Sequence, residues 1–434
     1  MKKLLSVVLA LLMLAVMLPV TAMAADGDPT CVNGVWQNVT PANVQDVLDG
    51  RYGSIDNTTI VLTAGTYGQL ELGRATKYPG SNTQYMVGGF DESAANYQKF
   101  NTAEEIIAYK SQTGWTPNCF YRRPLNNVTI KAADGATVTI GKMSAAAGQI
   151  YGTDAGSKYD YVLDSEVVDT NKSYYVSLEW NNINLVGLNF TSSVNIESSA
   201  TQTSVNGLHF KSCSFNSGYP TTTSEKAEGM GIRFVSWTTT TDNLKNLTVD
   251  NCKFENCFDG VYTNPVYGVS VTNSTFNKID HNAVAIQDDS AAAVNHGSVV
   301  ITGNTFTHVS DRIIRFNKVG EDTTITISKN TSTNSGDASG EIIKATSRPE
   351  SVQVTMSGNT WGNVGEKEAK NGAGFENVVN EPGTITIIVP STEETPKPAE
   401  DQKNPSTGAN DMVAAAVALM AVSALGMAVL SRKK

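Results

Sequence analysis

Asn246-Leu247-Thr248-Val249-Asp250-Asn251-Cys252-Lys253-Phe254 is one copy of a pattern that occurs seven times between Ile183 and Trp361. The template is apolar–x–apolar–x–x–small–x–aromatic. Here Leu247 and Val249 lead to Cys252 and Phe254. Ile183 and Leu185 lead to Leu188 and Phe190, and Leu208 and Phe210 to Cys213 and Phe215. Val269 and Val271 lead to Ser274 and Phe276, and Val299 and Ile301 to Asn304 and Phe306. Ile325 and Ile327 lead to Asn330 and Ser332, and Val354 and Met356 to Asn359 and Trp361. Spacing inside each copy is constant, whereas the copies start 22 to 39 residues apart. Fixed strands with variable connections characterise a solenoid, in which strands stack and insertions leave through loops.

The period-two alternation makes each copy a strand with one buried face. A second strand follows each aromatic: Gly231-Ile232-Arg233-Phe234, Gly260-Val261-Tyr262-Thr263, Val284-Ala285-Ile286-Gln287, Ile314-Arg315-Phe316-Asn317 and Ile343-Lys344-Ala345. Two or more strands per coil at this period predict an all-β fold, a right-handed parallel β-helix. An antiparallel sandwich is the competing arrangement, but it does not require one residue class at one offset in every hairpin. A stack does, because equivalent positions lie about 4.8 Å apart from coil to coil. Asn304, Asn330 and Asn359 then form an internal asparagine ladder whose amides bond each other and the turn backbone.

The segments "NLTVDNCKFENC", "VSVTNSTFNKI" and "VVITGNTFTHV", with Thr59-Ile60-Val61-Leu62-Thr63-Ala64-Gly65-Thr66-Tyr67, resemble the pectate-lyase-like right-handed β-helix proteins over roughly residues 55 to 365. In that family a similar early segment opens the first coils behind a capping helix. Here Thr40 and Pro41 before Ala42 to Leu48 suit such a cap, with Thr as N-cap and Pro at the first helical position. The resemblance implies fold more than activity, since this fold carries lyases, hydrolases and adhesins alike.

Residues 1–24 read as a secretory signal: basic Lys2 and Lys3, an apolar core from Leu4 to Val20, and the small-residue site Ala22-Met23-Ala24. Residues 25–54 form the N-terminal cap and 55–389 the β-helix domain, with an excursion over 68–125. That excursion carries Tyr78, Tyr85, Phe90, Tyr97 and Phe100, and a short helix over Ala103 to Ser111 with a capping box at Thr102 and Glu105. It either walls a groove or packs on the stack. Residues 390–403 are a Pro/Thr/Glu/Lys linker. Asn404-Pro405-Ser406-Thr407-Gly408 follows, then an uncharged run from Met412 to Leu430 long enough to span a bilayer, then Ser431-Arg432-Lys433-Lys434. This order resembles a Gram-positive sortase sorting signal, with Asn404 where that motif usually has Leu. The resemblance implies a cut between Thr407 and Gly408, a cleavable C-terminal hydrophobic helix, and partners in sortase and peptidoglycan. A permanent single span over 412–430 is the alternative. Both place the protein on the outside of a bacterial cell.

Removal of both ends leaves 27 basic and 41 acidic residues, a net charge of −14. Such a chain has no general attraction for nucleic acid. The five cysteines, Cys31, Cys119, Cys213, Cys252 and Cys257, leave at least one unpaired. Cys213 and Cys252 share a repeat position and are expected to stack as reduced, small apolar residues. His209, His281, His296 and His308 show no zinc spacing with them.

If alternation holds, Arg233, Tyr262, Ala285, Arg315 and Lys344 point outward, with Asn264, Gln287 and Asn317 two residues on. Arginine offers a planar fork for carboxylates, and tyrosine a stacking face for sugars. An acidic extracellular polysaccharide lying along the axis matches that stripe. Asp259, Asp280 with His281, and Asp311 with Arg312 follow the aromatics by four to six residues. Stacked carboxylates repel unless a cation intervenes, and calcium suits oxygen ligands outside the cell, with Asp288 and Asp289 able to contribute. The pectate-lyase-like resemblance implies carboxylate-held calcium and an arginine or lysine base. Arg315 would then be the base, and Lys344 or Arg233 the charge clamp. Gln287-Asp288-Asp289 and Asn295-His296-Gly297 are similar to motifs of polygalacturonase-type hydrolases. However, these aspartates leave a strand rather than precede one, and no Asn-Thr-Asp motif accompanies them. Two classes remain: a wall-displayed glycan-binding or adhesive β-helix, and a surface polysaccharide lyase or hydrolase.

Overall fold

The computed structural model describes residues 27–382, apart from 75, 77, 103, 107, 110–118, 152–172, 199–203, 238–240, 242 and 289–292. Residues 1–24, read above as a leader, residues 390–403 and 404–434, and Asp289 lie outside the described residues. Among the described residues no helix is long and apolar enough to cross a membrane.

The described chain is all-β, dominated by long parallel sheet with little helix, consistent with a β-helix solenoid. From Asn189 onward every strand pairs in parallel with the third strand after it, so three strands complete a coil and define three faces. The first face stacks Leu244–Asp250, Tyr267–Thr272, Ser298–Thr302, Thr324–Ser328 and Gln353–Ser357. The second stacks Lys253–Cys257, Thr275–Ile279, Thr305–Val309, Thr331–Thr333 and Thr360–Trp361. The third stacks Ile232–Ser236, Val261–Asn264, Val284–Ile286, Ile314–Lys318 and Glu341–Ser347.

All seven copies fall in one register. Ile183 pairs with Leu208, and the row continues through Leu247, Val269, Val299, Ile325 and Val354. The aromatic ends form a second row from Phe190 to Trp361. Rings of Phe190, Phe215, Phe254, Phe276 and Phe306 stack with centroids 5.0, 4.6, 4.6 and 5.1 Å apart, and all five are buried. Each such ring contributes roughly 1.5–3 kcal/mol by leaving water.

Between the first and second faces the chain turns on one residue. Gly187, Ser212, Asn251, Asn273, Gly303, Lys329 and Gly358 hold it with φ between 50° and 70°. Glycine and asparagine suit this left-handed conformation, which costs other residues about 1–2 kcal/mol.

The asparagine ladder forms as expected and runs one coil further. Asn304 Nδ2 donates to Val271 O and to Asn330 Oδ1, at 2.9 and 3.1 Å. Asn330 repeats this with Ile301 O and Asn359, and Asn359 with Ile327 O and Asn380. Above it the column continues as Ser274, Cys252 and Cys213. Cys213, Cys252 and Cys257 are buried free thiols, as a reduced ladder requires, while Cys31 is exposed. The contact with Cys213 and then burial push the Cys252 thiol far up, and burial pushes Cys257 up to about 11.

The N-terminal part departs from the expected boundaries. The cap helix starts at Val44, not Ala42, and Asn43 precedes it. Asn43 Oδ1 accepts the Thr40 N–H, while Thr40 O takes the Val44 N–H, so residues 41–43 form a turn. The excursion is shorter at both ends than 68–125, because Gly65–Glu71 and Cys119–Ala132 both pair within the stack. Its strands Gln84–Val87 and Gln98–Phe100 pack antiparallel beside Cys119–Ala132, with Tyr85 and Phe90 buried. The Thr102–Glu105 capping box forms at 3.2 and 3.3 Å. Arg123, buried here, donates to Leu48 O and Arg74 O at 2.7 Å and so ties the cap to the coils. Burial pushes its guanidinium down to about 10.

Candidate functional site

The third face carries the predicted row. Arg233, Tyr262, Ala285, Arg315 and Lys344 are paired neighbours, one per coil. Tyr262, Arg315 and Lys344 are half-buried there, and Gln287 and Asn317 also keep partial exposure. Alternation therefore assigns the face correctly.

It does not assign accessibility. Arg233 is buried: Nη1 donates to Asn195 Oδ1 at 2.8 Å and to Glu197 Oε2 at 2.6 Å, one coil above. Asn264 is buried at 1% exposure, and Ala285 is covered completely. Beyond the end of the face the chain bonds across coils. Asp288, itself buried, accepts the Val294 N–H, Asn317 Nδ2 donates to Asp288 O, and Gly320 N donates to Val294 O. His296 is also buried, with Nδ1 3.0 Å from Val266 O and Nε2 3.2 Å from Lys318 O. Asp288 and His296 thus hold backbone, which agrees with setting the polygalacturonase-like motif aside. The clamp role considered for Arg233 is corrected likewise, since its charge is already matched by Glu197.

One residue missing from the sequence reading stands at the head of the row. Trp237 is 49% exposed, yet its ring is fixed. Nε1 donates to Glu197 Oε1, and the Arg233 guanidinium lies 5.6 Å from the ring centroid. A large aromatic two residues beyond a buried strand residue was the available signal.

At the other end of the third-face strands, where the chain leaves the second face, the charged residues form a column. Asp280 does not belong to it. Its N–H bonds Cys257 O, which sets it level with Phe258, and it is exposed. The next residue, His281, is level with Asp259 and Asp311, so the expected trio of aspartates is an Asp–His–Asp column, one residue out of the predicted register. Asp259 is 1% exposed, and its Oδ1 lies 3.0 Å from His281 Nδ1 and accepts from Asn282 N at 2.8 Å. Its Oδ2 is buried without a hydrogen-bond partner. Two arginines join the column at Asp311: Arg312 pairs with Asp311, Asp337 and Glu341, and Arg315 Nη1 lies 3.7 Å from Asp311 Oδ2.

This donor set does not fit calcium. Asp280 is exposed and one residue out of the column, Asp311 is taken by two arginines, and one position is an imidazole, a poor ligand for a hard cation. Among the described residues no group of three or more potential ligands converges. The arginine contact also alters the base assignment: Arg315 beside Asp311 is a held cation rather than a proton acceptor.

Comparison with family models, curated proteins and solved structures finds no match to this chain.

Proposed function

We propose that this chain is a bacterial surface protein, built on a right-handed pectin-lyase-like β-helix, that binds an acidic polysaccharide along its third face. A leader over 1–24 exports it, and a sortase joins Thr407 of the Asn404-Pro405-Ser406-Thr407-Gly408 segment to peptidoglycan. The observation that carries the binding reading is Trp237, exposed but fixed at its edge by Glu197 and on its face by Arg233. A pre-set aromatic plane offers sugar rings a stacking surface at low entropic cost. Tyr262 on the next coil, and Arg315 and Lys344 on the coils beyond that of Ala285, extend it, with Gln287 and Asn317 alongside. Two cations one coil apart suit a polymer with a carboxylate on each sugar.

Affinity electrophoresis of the full chain against acidic and neutral polysaccharides tests this. Retardation by the acidic polymers should weaken as salt rises. The combined variant Trp237→Ala, Tyr262→Ala, Arg315→Ala, Lys344→Ala should migrate as if no polymer were present. Equal retardation of variant and native protein would remove the site. Deletion of 404–408 should shift the protein from the wall fraction to the membrane fraction, and unchanged wall linkage would refute the anchoring.

A further inference from the structure

We infer that Cys213 and Cys252 are the reduced halves of a disulfide that staples two successive coils, formed by exchange with a small external disulfide as the chain folds. This rests on the export proposed above, because the cytoplasm keeps thiols reduced, and not on the polysaccharide reading. Lys211 pairs with Asp250 and Ser214 with Lys253, so Cys213 and Cys252 are level on adjacent coils. Level residues on neighbouring parallel strands lie about 4.8 Å apart, inside the roughly 4.4–6.8 Å that a disulfide spans between Cα atoms. Both side chains are buried in the interior column, and the two thiols interact directly.

The rest of that column shows what cysteine adds. Below the pair, Ser274 Oγ accepts the Cys252 N–H at 3.0 Å and donates to Thr272 O at 2.7 Å. The thiols hold backbone only weakly: Cys213 Sγ donates to Leu185 O and Cys252 Sγ to Asp250 O, each at 3.3 Å. Above them Leu188 fills the position with no polar group. Neither backbone bonding nor packing therefore calls for two sulfurs on adjacent coils, whereas a crosslink does. The pair also closes the longest coil. Copies of the repeat begin 22 to 39 residues apart, and the 39-residue step is Leu208 to Leu247. That coil holds the helix Lys226–Gly229 and carries Arg233 and Trp237. A crosslink stabilises most where it closes a long loop, because it removes more freedom from the unfolded chain.

One cysteine thiolate attacks a sulfur of the small disulfide, forming a mixed disulfide and releasing one small thiol. The other cysteine then attacks the protein sulfur of that mixed disulfide and releases the second small thiol. The S–S bond of the reagent breaks, the Cys213–Cys252 bond forms, and the two thiol hydrogens leave on the two small thiols. The cysteines are oxidised by two electrons and the reagent is reduced by two. In the folded chain the pair is 2% and 3% exposed, and burial opposes the thiolate that exchange needs. Exchange therefore belongs to folding, before the coils close over the column.

The test refolds the full chain in mixtures of oxidised and reduced glutathione and, in parallel, in dithiothreitol. Free thiols are then alkylated in denaturant and the peptides mapped by mass spectrometry. The buffer supplies the disulfide, so the result is read whether or not the chain is exported. The glutathione samples should yield one crosslinked peptide joining Cys213 to Cys252, with Cys31 and Cys257 alkylated. A protease added to the folded samples should cut between Phe215 and Leu244 about tenfold more slowly in the crosslinked chain than in the reduced one, because the coil opens less often. Cys213→Ser places at this position the residue that Ser274 already supplies one coil below Cys252, and thermal melts verify that it is folded. It should form no crosslink and be cut at the same rate from either buffer. Alkylation of both Cys213 and Cys252 at every glutathione ratio overturns the inference, as does a crosslink of either one to Cys31 or Cys257. Equal cleavage of crosslinked and reduced chains overturns the stapling role.

Discussion

The inner row of the second face and the outer row of the third face occupy equivalent places in every coil, yet they differ in kind. Inside, Phe190, Phe215, Phe254, Phe276 and Phe306 repeat one residue type, stacked ring on ring. Outside, Arg233, Tyr262, Ala285, Arg315 and Lys344 share a register and hardly a property. Sameness within a column serves packing, because each rung must match its neighbours at fixed separation. Variety within a column is what a surface needs to meet one particular ligand.

The inner row is broken most severely by charge. Phe254→Asp should prevent folding, exceeding the roughly 3–5 kcal/mol of a Phe→Ala cavity because the carboxylate finds no buried partner. A cooperative thermal melt of the soluble variant by circular dichroism would contradict the ladder. Asn330→Leu is next. It strands the Asn304 N–H, which Asn330 Oδ1 accepts at 2.9 Å, and the Ile301 carbonyl, at a cost of about 2–4 kcal/mol in urea melts. A loss below about 1 kcal/mol would mean that water replaces the amide. On the outer row, Tyr262→Ala with Lys344→Ala should weaken polysaccharide retention about tenfold yet leave stability within roughly 0.5 kcal/mol. A large melting shift would return that row to a packing role.

Two smaller effects concern the corner between the first and second faces. Lys329 holds φ of 54°, where its coil neighbours Gly303 and Gly358 hold 70° and 61°. Lys329→Gly should therefore stabilise by about 0.5–1 kcal/mol, relief of left-handed strain outweighing the added freedom of the unfolded chain. Asp250, on the strand before that corner, is held below the ordinary carboxylate range by hydrogen bonds from Asn273 and Thr272. Its lowered value means that it contributes stability above the unfolded pKa of about 3.9, lost as pH falls through the folded value. The melting difference between native protein and Asp250→Asn should shrink as pH drops toward about 3, and a constant difference would exclude the linkage.

The legible part of the molecule was the part that repeats. From Ile183 to Trp361, register, the aromatic stack and the Asn304–Asn330–Asn359 ladder could be read from residue order, since a fixed offset admits one burial pattern; the corner inside each copy could not, because each copy was read as one strand and Asn251 and its equivalents divide it between the first and second faces. The first coils were less legible. Val128 pairs with Ile183, but its strand, Cys119–Ala132, carries no aromatic at the template offset, so the coil was taken partly for an excursion. At the site, Tyr262, Arg315 and Lys344 were placed on the correct face. Arg233 and Asn264 were taken as exposed because alternation reports which face a residue is on, not what lies over that face.

Residue order thus determined the all-β stack, its in-register columns and the outward stripe, because these follow from local periodicity repeated at constant spacing. Only the tertiary structure decided that Asp259 meets His281 rather than Asp280. A one-residue offset where the chain leaves the second face is set by backbone hydrogen bonds between coils, such as Asp280 N–H to Cys257 O. It likewise decided that Glu197 claims Arg233 and holds Trp237, since partners 36 and 40 residues apart meet only when one coil closes on the next.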